Sequence, residues 1–123
     1  MKRFLVSLTY ALKGIRLLFS SQKNAQYHGI MAFVVCLMGW LFHISSIEWS
    51  IVVGCIGMVL FAEGLNTALE YLVDFISPEY HVKAGQIKDL AAGSVLIISL
   101  TTLIIGLIIF MPKVWPTFEA IKN

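Results

Sequence analysis

Long apolar runs separated by short polar segments dominate the chain, and no run shows the alternation typical of strands. The clearest run, at residues 90–110, carries no charge and is followed by Pro112, Lys113 and Trp115. A helix of about 20 apolar residues crosses the hydrocarbon core of a bilayer. Two further apolar runs lie at residues 29–47 and 49–73, and a short loop around Ser45, Ser46 and Glu48 joins them in a tight helical hairpin. The pattern therefore predicts three membrane-spanning helices in an all-α fold.

The N-terminal segment has a different pattern. Between residues 3 and 19, apolar side chains recur at helical spacing, but Arg3, Lys13 and Arg16 interrupt them. This arrangement predicts an amphipathic helix that lies on the membrane surface. A helix packed against the bundle with its charges in water has the same pattern, so both placements stay open.

Composition supports a membrane protein made of one domain, residues 1–123. Hydrophobic residues make up 59% of the chain, charged residues make up 13%, and the mean hydropathy is +0.85. Soluble domains have about 25% charged residues. The net charge of +2 gives no argument for nucleic-acid binding. Cys36 and Cys55 lie in apolar runs without metal-binding spacing, and we expect them to be small buried hydrophobic residues.

The distribution of positive charge predicts the orientation in the membrane. Of the nine Lys and Arg residues, seven precede the first predicted span or lie between the second and the third. Cytoplasmic loops carry an excess of Lys and Arg. We therefore expect the N-terminus and the segment at residues 74–89 to be cytoplasmic, and the C-terminus to lie on the other side.

An acidic stretch, AEGLNTALEYLVD at residues 62–74, lies at the end of the second predicted span. The uncharged part of that span is too short to cross the membrane alone, so the helix must continue through the acidic stretch. Four polar side chains share one face of this helix, within a stripe roughly 80° wide: Glu63, Asn66, Glu70 and Asp74. A carboxylate near hydrocarbon is costly, so this stripe favours a function. Hydrogen bonding between helices is the structural alternative.

Carboxylates in this setting suit two tasks, binding a hard cation such as Mg²⁺ and accepting a proton. The segment that follows, SPEYHVKAGQIKDL, adds further carboxylates, a histidine and lysines. Together these groups favour a phosphate-handling site with a metal. There is no GxxxxGK[ST] motif in the sequence, which excludes a P-loop nucleotide fold.

Two other classes of protein remain as alternatives. An oligomeric channel could line a polar path with the acidic stripe, although a pore has no need of a phosphate-binding loop. A structural subunit could pack against a larger complex through its small residues, Ala91, Ala92, Gly93 and Ser94. Close packing of helices within a homo-oligomer explains those small residues equally well.

Three segments together resemble the bacterial diacylglycerol kinase and undecaprenol kinase family: EGLNTALEYLVD at 63–74, SPEYH at 77–81 and KDLAAGSVL at 88–96. The segments TYALKGIR at 9–16 and IIGLIIFMP at 104–112 are also similar to it. The resemblance implies a homotrimer in the bacterial inner membrane, with three membrane helices and a surface helix in each protomer. It also implies transfer of the γ-phosphoryl group of MgATP to a lipid alcohol, at sites between protomers.

The resemblance also implies roles for individual residues. Glu63 would be the general base, Glu70 a Mg²⁺ ligand, and Asn66 would orient both. Nucleotide contacts are implied for Arg3 and Tyr10 and for five residues of the polar segment: Glu79, Tyr80, His81, Lys88 and Asp89. The segments IEWSIV and SPEYH look more like the undecaprenol branch than the diacylglycerol branch.

One position departs from the family. Gln22 stands where the family has a glutamate that shares the metal with the glutamate at the position of Glu70. An amide oxygen can ligate Mg²⁺ and contact the nucleotide, but it adds no negative charge. We therefore expect weaker binding of Mg²⁺ or MgATP, or else a member of low activity or changed role.

Overall fold

The computed structural model describes residues 1–79 and 81–122, with side chains through Trp115. Within these residues the chain forms four α-helices and no strand: α1 (Lys2–Ser21), α2 (Lys23–Leu41), α3 (Ser46–Ile76) and α4 (Val82–Lys122). The prediction of an all-α fold is confirmed.

The turn between α2 and α3 divides the segment that the sequence predicted as one span, residues 29–47. Helix α2 ends at Leu41, and His43 adopts a left-handed backbone with φ of 48°. The Oγ of Ser45 accepts a hydrogen bond from the Glu48 N–H at 3.3 Å, and the Glu48 carboxylate accepts one from the Ser45 N–H at 2.7 Å. This reciprocal capping box satisfies two backbone donors and starts α3 at Ser46.

Helices α3 and α4 form an antiparallel pair with an ion pair at each end. The carboxylate of Glu48 lies 3.0 Å from Lys113 Nζ, and the carboxylate of Asp74 lies 2.6 Å from Lys88 Nζ. One pair joins the start of α3 to the later part of α4, and the other joins the end of α3 to the first turns of α4. Together they define which residues of the two helices lie at the same level.

The apolar core lies near the α2–α3 turn. Ile44, Val52, Ile109 and Phe110 are buried there, and Trp49 packs against them. Gly39 allows this packing because a Cβ at its position would lie 2.9 Å from the Trp49 ring and 3.0 Å from Ile44. The glycine therefore permits α2 to approach the start of α3 closely.

Helix α1 runs beside α3 in the same direction over its second half. Leu18 lies next to Gly64, and the Tyr71 hydroxyl donates a hydrogen bond to Ser21 Oγ at 2.9 Å. The Gln26 amide, on α2, donates to the Phe19 carbonyl at 2.8 Å. In the single chain α1 thus contacts the bundle near its C-terminal end, while none of its residues is buried. Its position on the membrane surface stays a prediction.

Three of the described helices are long and apolar enough to cross a membrane: Lys2–Ser21, Ser46–Ile76 and Val82–Trp115. The membrane span predicted at residues 29–47 stays a prediction; helix α2 is not among these three helices because its first two turns are polar. Its apolar part, residues 29–41, extends only about 20 Å, which is less than the roughly 30 Å of a hydrocarbon core. Helix α4 also continues past Pro112, where the sequence predicted an end, although proline supplies no N–H to the preceding turn.

Replacing Gly39 with alanine tests the close packing at the α2–α3 turn. The added methyl group would overlap the Trp49 ring, so we expect the free energy of unfolding to fall by about 1–3 kcal/mol. Thermal unfolding in detergent measures this change. Gly57→Ala is the control, because a Cβ there meets no atom within 4 Å in the described chain. Equal stability of the two variants would contradict this account of the turn.

Candidate active site

The polar side of α3 is buried against the other helices. Glu63, Asn66 and Thr67 are only 2%, 7% and 6% exposed, and they are the buried polar residues among those that the structure describes. The leucines at 65, 69 and 72 are exposed on the opposite side of α3. The helix therefore carries its carboxylates into the bundle and turns its leucines outward.

Asn66 and Glu70 form a hydrogen-bonded pair one turn apart. The Asn66 amide N–H donates to Glu70 Oε1 at 3.0 Å, because residues four apart lie on the same helix face. The other amide atom, Asn66 Oδ1, is buried and has no hydrogen-bond partner within the described residues. Asn66 therefore holds the Glu70 carboxylate and keeps an oxygen available for another group.

Gln22 lies near the level of this pair. It is the only non-helical residue between α1 and α2, with φ of −112° and ψ of 114°. Its neighbour Ser21 accepts the hydrogen bond from Tyr71, which follows Glu70 in the chain. The joint between α1 and α2 is thus attached to the turn of α3 that carries Glu70.

These residues fit a magnesium ion that also binds phosphate oxygens. The described residues contain no cluster of three or more His, Cys, Asp or Glu side chains able to hold a metal. The Glu70 carboxylate, the unpartnered Asn66 oxygen and the Gln22 amide are nevertheless hard oxygen donors, which Mg²⁺ prefers. Mg²⁺ commonly binds through one or two carboxylates together with substrate phosphates. The single carboxylate at Glu70 fits that pattern.

The polar segment between α3 and α4 is exposed at the end of the bundle. Glu79, His81 and Asp89 are exposed, and the ammonium group of Lys88 pairs with Asp74. The Ser77 hydroxyl donates to the Glu79 carbonyl at 3.2 Å. Tyr80, predicted to contact the nucleotide, lies outside the described residues. The structure thus places this segment within a few helical turns of Glu70.

Arg3 and Tyr10 do not join this group of residues in the single chain. Both are exposed on α1, and the Lys13 ammonium lies 5.5 Å from the centre of the Tyr10 ring. At 1.5 Å per residue, Arg3 is about 27 Å and Tyr10 about 16 Å along α1 from Ser21. Because α1 runs in the same direction as α3, these distances lead away from Glu70.

A cavity of about 440 Å³ lies between α2, α3 and α4. Its walls are mostly apolar and include Val59, one helical turn before Glu63. Three polar residues line it as well: His28 from α2, and Ser99 and Thr102 from α4. His28 lies near enough to Glu63 for the two side chains to interact electrostatically.

The sequence analysis did not assign a role to His28 or Ser99. Each is an isolated polar residue within or beside an apolar run, and neither belongs to a motif. What joins them to Glu63 is the packing of three helices that are distant in sequence.

Comparisons with known proteins match this chain over most of its length. The family model for prokaryotic diacylglycerol kinase matches residues 9–110. An undecaprenol kinase from Bacillus subtilis is 40% identical over 92% of this chain and 92% of its own. A diacylglycerol kinase from Synechocystis is 34% identical over 88% of this chain and 62% of its own. A diacylglycerol kinase from Escherichia coli K12 is 25% identical over 94% of this chain and 92% of its own.

Tyr71→Phe tests the attachment of the α1–α2 joint to α3. Loss of the hydroxyl removes the bond to Ser21, and a hydrogen bond contributes about 0.5–1.5 kcal/mol. We expect faster hydrogen–deuterium exchange in residues 18–26, measured by mass spectrometry. Tyr27→Phe, an exposed tyrosine of α2, is the control and should leave exchange unchanged. Unchanged exchange in both variants would show that this bond does not hold the joint.

Proposed function

The chain belongs to the prokaryotic diacylglycerol kinase family and is a lipid kinase, and we propose that it transfers the γ-phosphoryl group of ATP to undecaprenol. The observation that carries the proposed mechanism is the burial of Glu63, which is only 2% exposed inside a largely apolar bundle. Burying a carboxylate in such surroundings is costly, so its retention there favours a chemical role.

In the proposed reaction Glu63 is the general base. As the oxygen of the lipid alcohol forms a bond to the γ-phosphorus, the bond from that phosphorus to the β–γ bridging oxygen breaks, and ADP leaves. The proton of the alcohol passes to the Glu63 carboxylate. Phosphoryl transfer depends mainly on positioning and charge stabilisation, and a rigid helix supplies the positioning.

Glu70 would hold Mg²⁺ together with the nucleotide phosphates, with Gln22 as a neutral oxygen donor. When bound, Mg²⁺ neutralises charge on the phosphate oxygens. Asn66 orients Glu70 through the 3.0 Å hydrogen bond. Glu63 and Glu70 are separated by about 10 Å along the helix axis. That spacing suits an alcohol deep in the bundle and a nucleotide nearer its end.

The polar segment and the start of α4 would bind the nucleotide. Lys88 is paired with Asp74, and both side chains are substantially exposed, so its ammonium group can exchange that partner for phosphate at little cost. We assign nucleotide contacts to the remaining residues predicted from the sequence: Glu79, Tyr80 and His81 before α4, and Asp89 in its first turns. Contacts from Arg3 and Tyr10 require α1 to lie differently from its position along α3 in the single chain.

Undecaprenol is proposed as the acceptor on two grounds. The Bacillus relative named for it shares more identical residues with the chain than the relatives named for diacylglycerol that are described above. The IEWSIV and SPEYH segments point the same way. A long isoprenoid chain would also suit the apolar surface that the helices expose.

The chain is a multi-pass bacterial membrane protein. We propose that it lies in the inner membrane as a homotrimer, with the N-terminus and the polar segment at residues 77–81 in the cytoplasm. The excess of Lys and Arg near those segments supports this orientation. The many large apolar side chains exposed on the single chain would then face lipid or another copy.

Family membership favours the kinase over a channel or a structural subunit. Gln22 supplies no charge to the metal, and this observation favours the alternative of a low-activity or repurposed enzyme. The two experiments below separate these possibilities.

Glu63→Gln tests the general base. The purified protein in mild detergent would be given MgATP with undecaprenol or diacylglycerol in parallel, and lipid phosphate would be measured. We expect the wild type to phosphorylate undecaprenol, and the variant to lose about 100-fold or more in kcat. Glu48→Gln, at the far end of α3, should stay active. Full activity of Glu63→Gln would remove the base assignment, and a wild type inactive on every lipid alcohol would overturn the proposed function.

Gln22→Glu tests the metal assignment. A second carboxylate beside Glu70 should lower the Mg²⁺ concentration needed for half-maximal activity by about tenfold, since charge-assisted contacts to the ion are stronger. Asn24→Asp adds the same charge two residues away and should have a much smaller effect. If the two variants respond alike to Mg²⁺, Gln22 does not occupy a metal position.

A further inference from the structure

Three buried polar atoms have no hydrogen-bond partner within the described part of the chain: Asn66 Oδ1, Thr67 Oγ1 and Ser99 Oγ. Leaving a buried polar atom unpaired is costly, so such an atom in a folded protein needs an explanation. The first two lie on the acidic stripe of α3. Ser99 lies on α4, where no role has been assigned.

The Ser99 hydroxyl behaves differently from its neighbours on α4. The Ser94 and Thr101 hydroxyls each donate to the carbonyl four residues earlier, at 2.9 Å, and the Thr102 hydroxyl donates to the Ser99 carbonyl at 3.0 Å. These bonds satisfy a hydroxyl inside an apolar helix. Ser99 makes no such bond, although it lies in the same helix and lines the cavity between α2, α3 and α4.

The pairing of α3 with α4 puts Ser99 at the same level along the bundle as Glu63, the proposed general base. The Asp74–Lys88 and Glu48–Lys113 ion pairs fix the level of the two antiparallel helices at both ends. On that alignment Ser99 lies level with Ala62 and Glu63. Val59, one turn before Glu63 on the same helix face, lines the cavity together with Ser99.

The cavity suits an amphipathic ligand with one polar end. Most of its lining is apolar, with Met31, Val35, Ile56 and Leu103 among the residues. Its polar groups include His28 and Ser99, from the two helices that flank α3. Apolar walls accept a hydrocarbon chain, and an unpaired hydroxyl at a protein site discriminates for a ligand that can pair with it.

We propose that Ser99 binds the hydroxyl of the lipid alcohol and holds it towards Glu63. The Ser99 O–H donates to the alcohol oxygen, which leaves the alcohol O–H directed at the Glu63 carboxylate. The first apolar units of the lipid lie along the cavity wall. This inference rests on the proposed function, and it adds an acceptor-binding residue from α4 to a site otherwise built from α3 and the polar segment.

Binding can be measured without catalysis through Cys55, which lines the same cavity. In a Cys36→Ala background, a ligand in the cavity should slow alkylation of Cys55 by a maleimide. Farnesol and its hydrocarbon analogue farnesene are matched probes that differ at the hydroxyl. We expect farnesol to protect Cys55 from alkylation at about 3- to 10-fold lower concentration than farnesene, because one hydrogen bond has an effect of this size.

Ser99→Ala should remove that preference, and Ser99→Thr should retain it. Ser94→Ala is the control, since its hydroxyl is satisfied within its own helix. A preference that survives in Ser99→Ala would overturn the proposal, as would a Cys55 that does not react in the ligand-free protein. Equal protection of Cys55 by both probes in the wild type would also overturn the proposal, and the Ser99 hydroxyl would then pair with water instead.

Kinetics separate this inference from the proposed function. Ser99→Ala should lower kcat/KM for the lipid alcohol by about 3- to 10-fold, with KM for ATP unchanged. If Ser99→Ala matches the wild type while Glu63→Gln is inactive, the kinase assignment stands and the role of Ser99 is wrong. If the wild type phosphorylates no lipid alcohol but farnesol is still preferred over farnesene, the site binds alcohols and the proposed reaction fails.

Discussion

The removal of the Glu63 carboxylate from water is the constraint around which the bundle is organised. An ionised group in an apolar interior must have a compensating partner or a reason to remain. Here α2 places His28 near Glu63, and α4 places Ser99 at the same level along the bundle. The exposed leucines occupy the opposite side of α3, so only one side of that helix is left for carboxylate side chains. Under the proposed function, a soluble nucleotide and a membrane alcohol would meet at this carboxylate.

The helices and half of the candidate site could be predicted from the sequence. Long apolar runs specify helices that can lie in a membrane, and the spacing of Glu63, Asn66 and Glu70 on one face needs only the helical period. All three lie in one continuous helix, α3, so no packing information was needed to place them together.

The remaining features depend on interactions between helices. His28 lies near Glu63, and Ser99 lies at its level, only because α2 and α4 pack against α3 at one particular level, which no local pattern encodes. The short loop was predicted around Ser45, Ser46 and Glu48, whereas the turn lies at residues 42–45. Phe42 and Ile44 continue the apolar run, and the capping box of Ser45 and Glu48 already starts α3 at Ser46. The direction of α1 along α3 was likewise open, since amphipathic spacing does not specify a partner.

The ion pairs at both ends of the α3–α4 pair limit how a lipid could enter the bundle. Sliding of one helix past the other would break the Glu48–Lys113 and Asp74–Lys88 pairs together. Sideways separation of α2 from that pair breaks neither of them. Under the proposed function, a long-chain alcohol that entered from the bilayer beside α2 would leave the alignment of α3 with α4 unchanged, and its tail could remain in the membrane throughout the reaction.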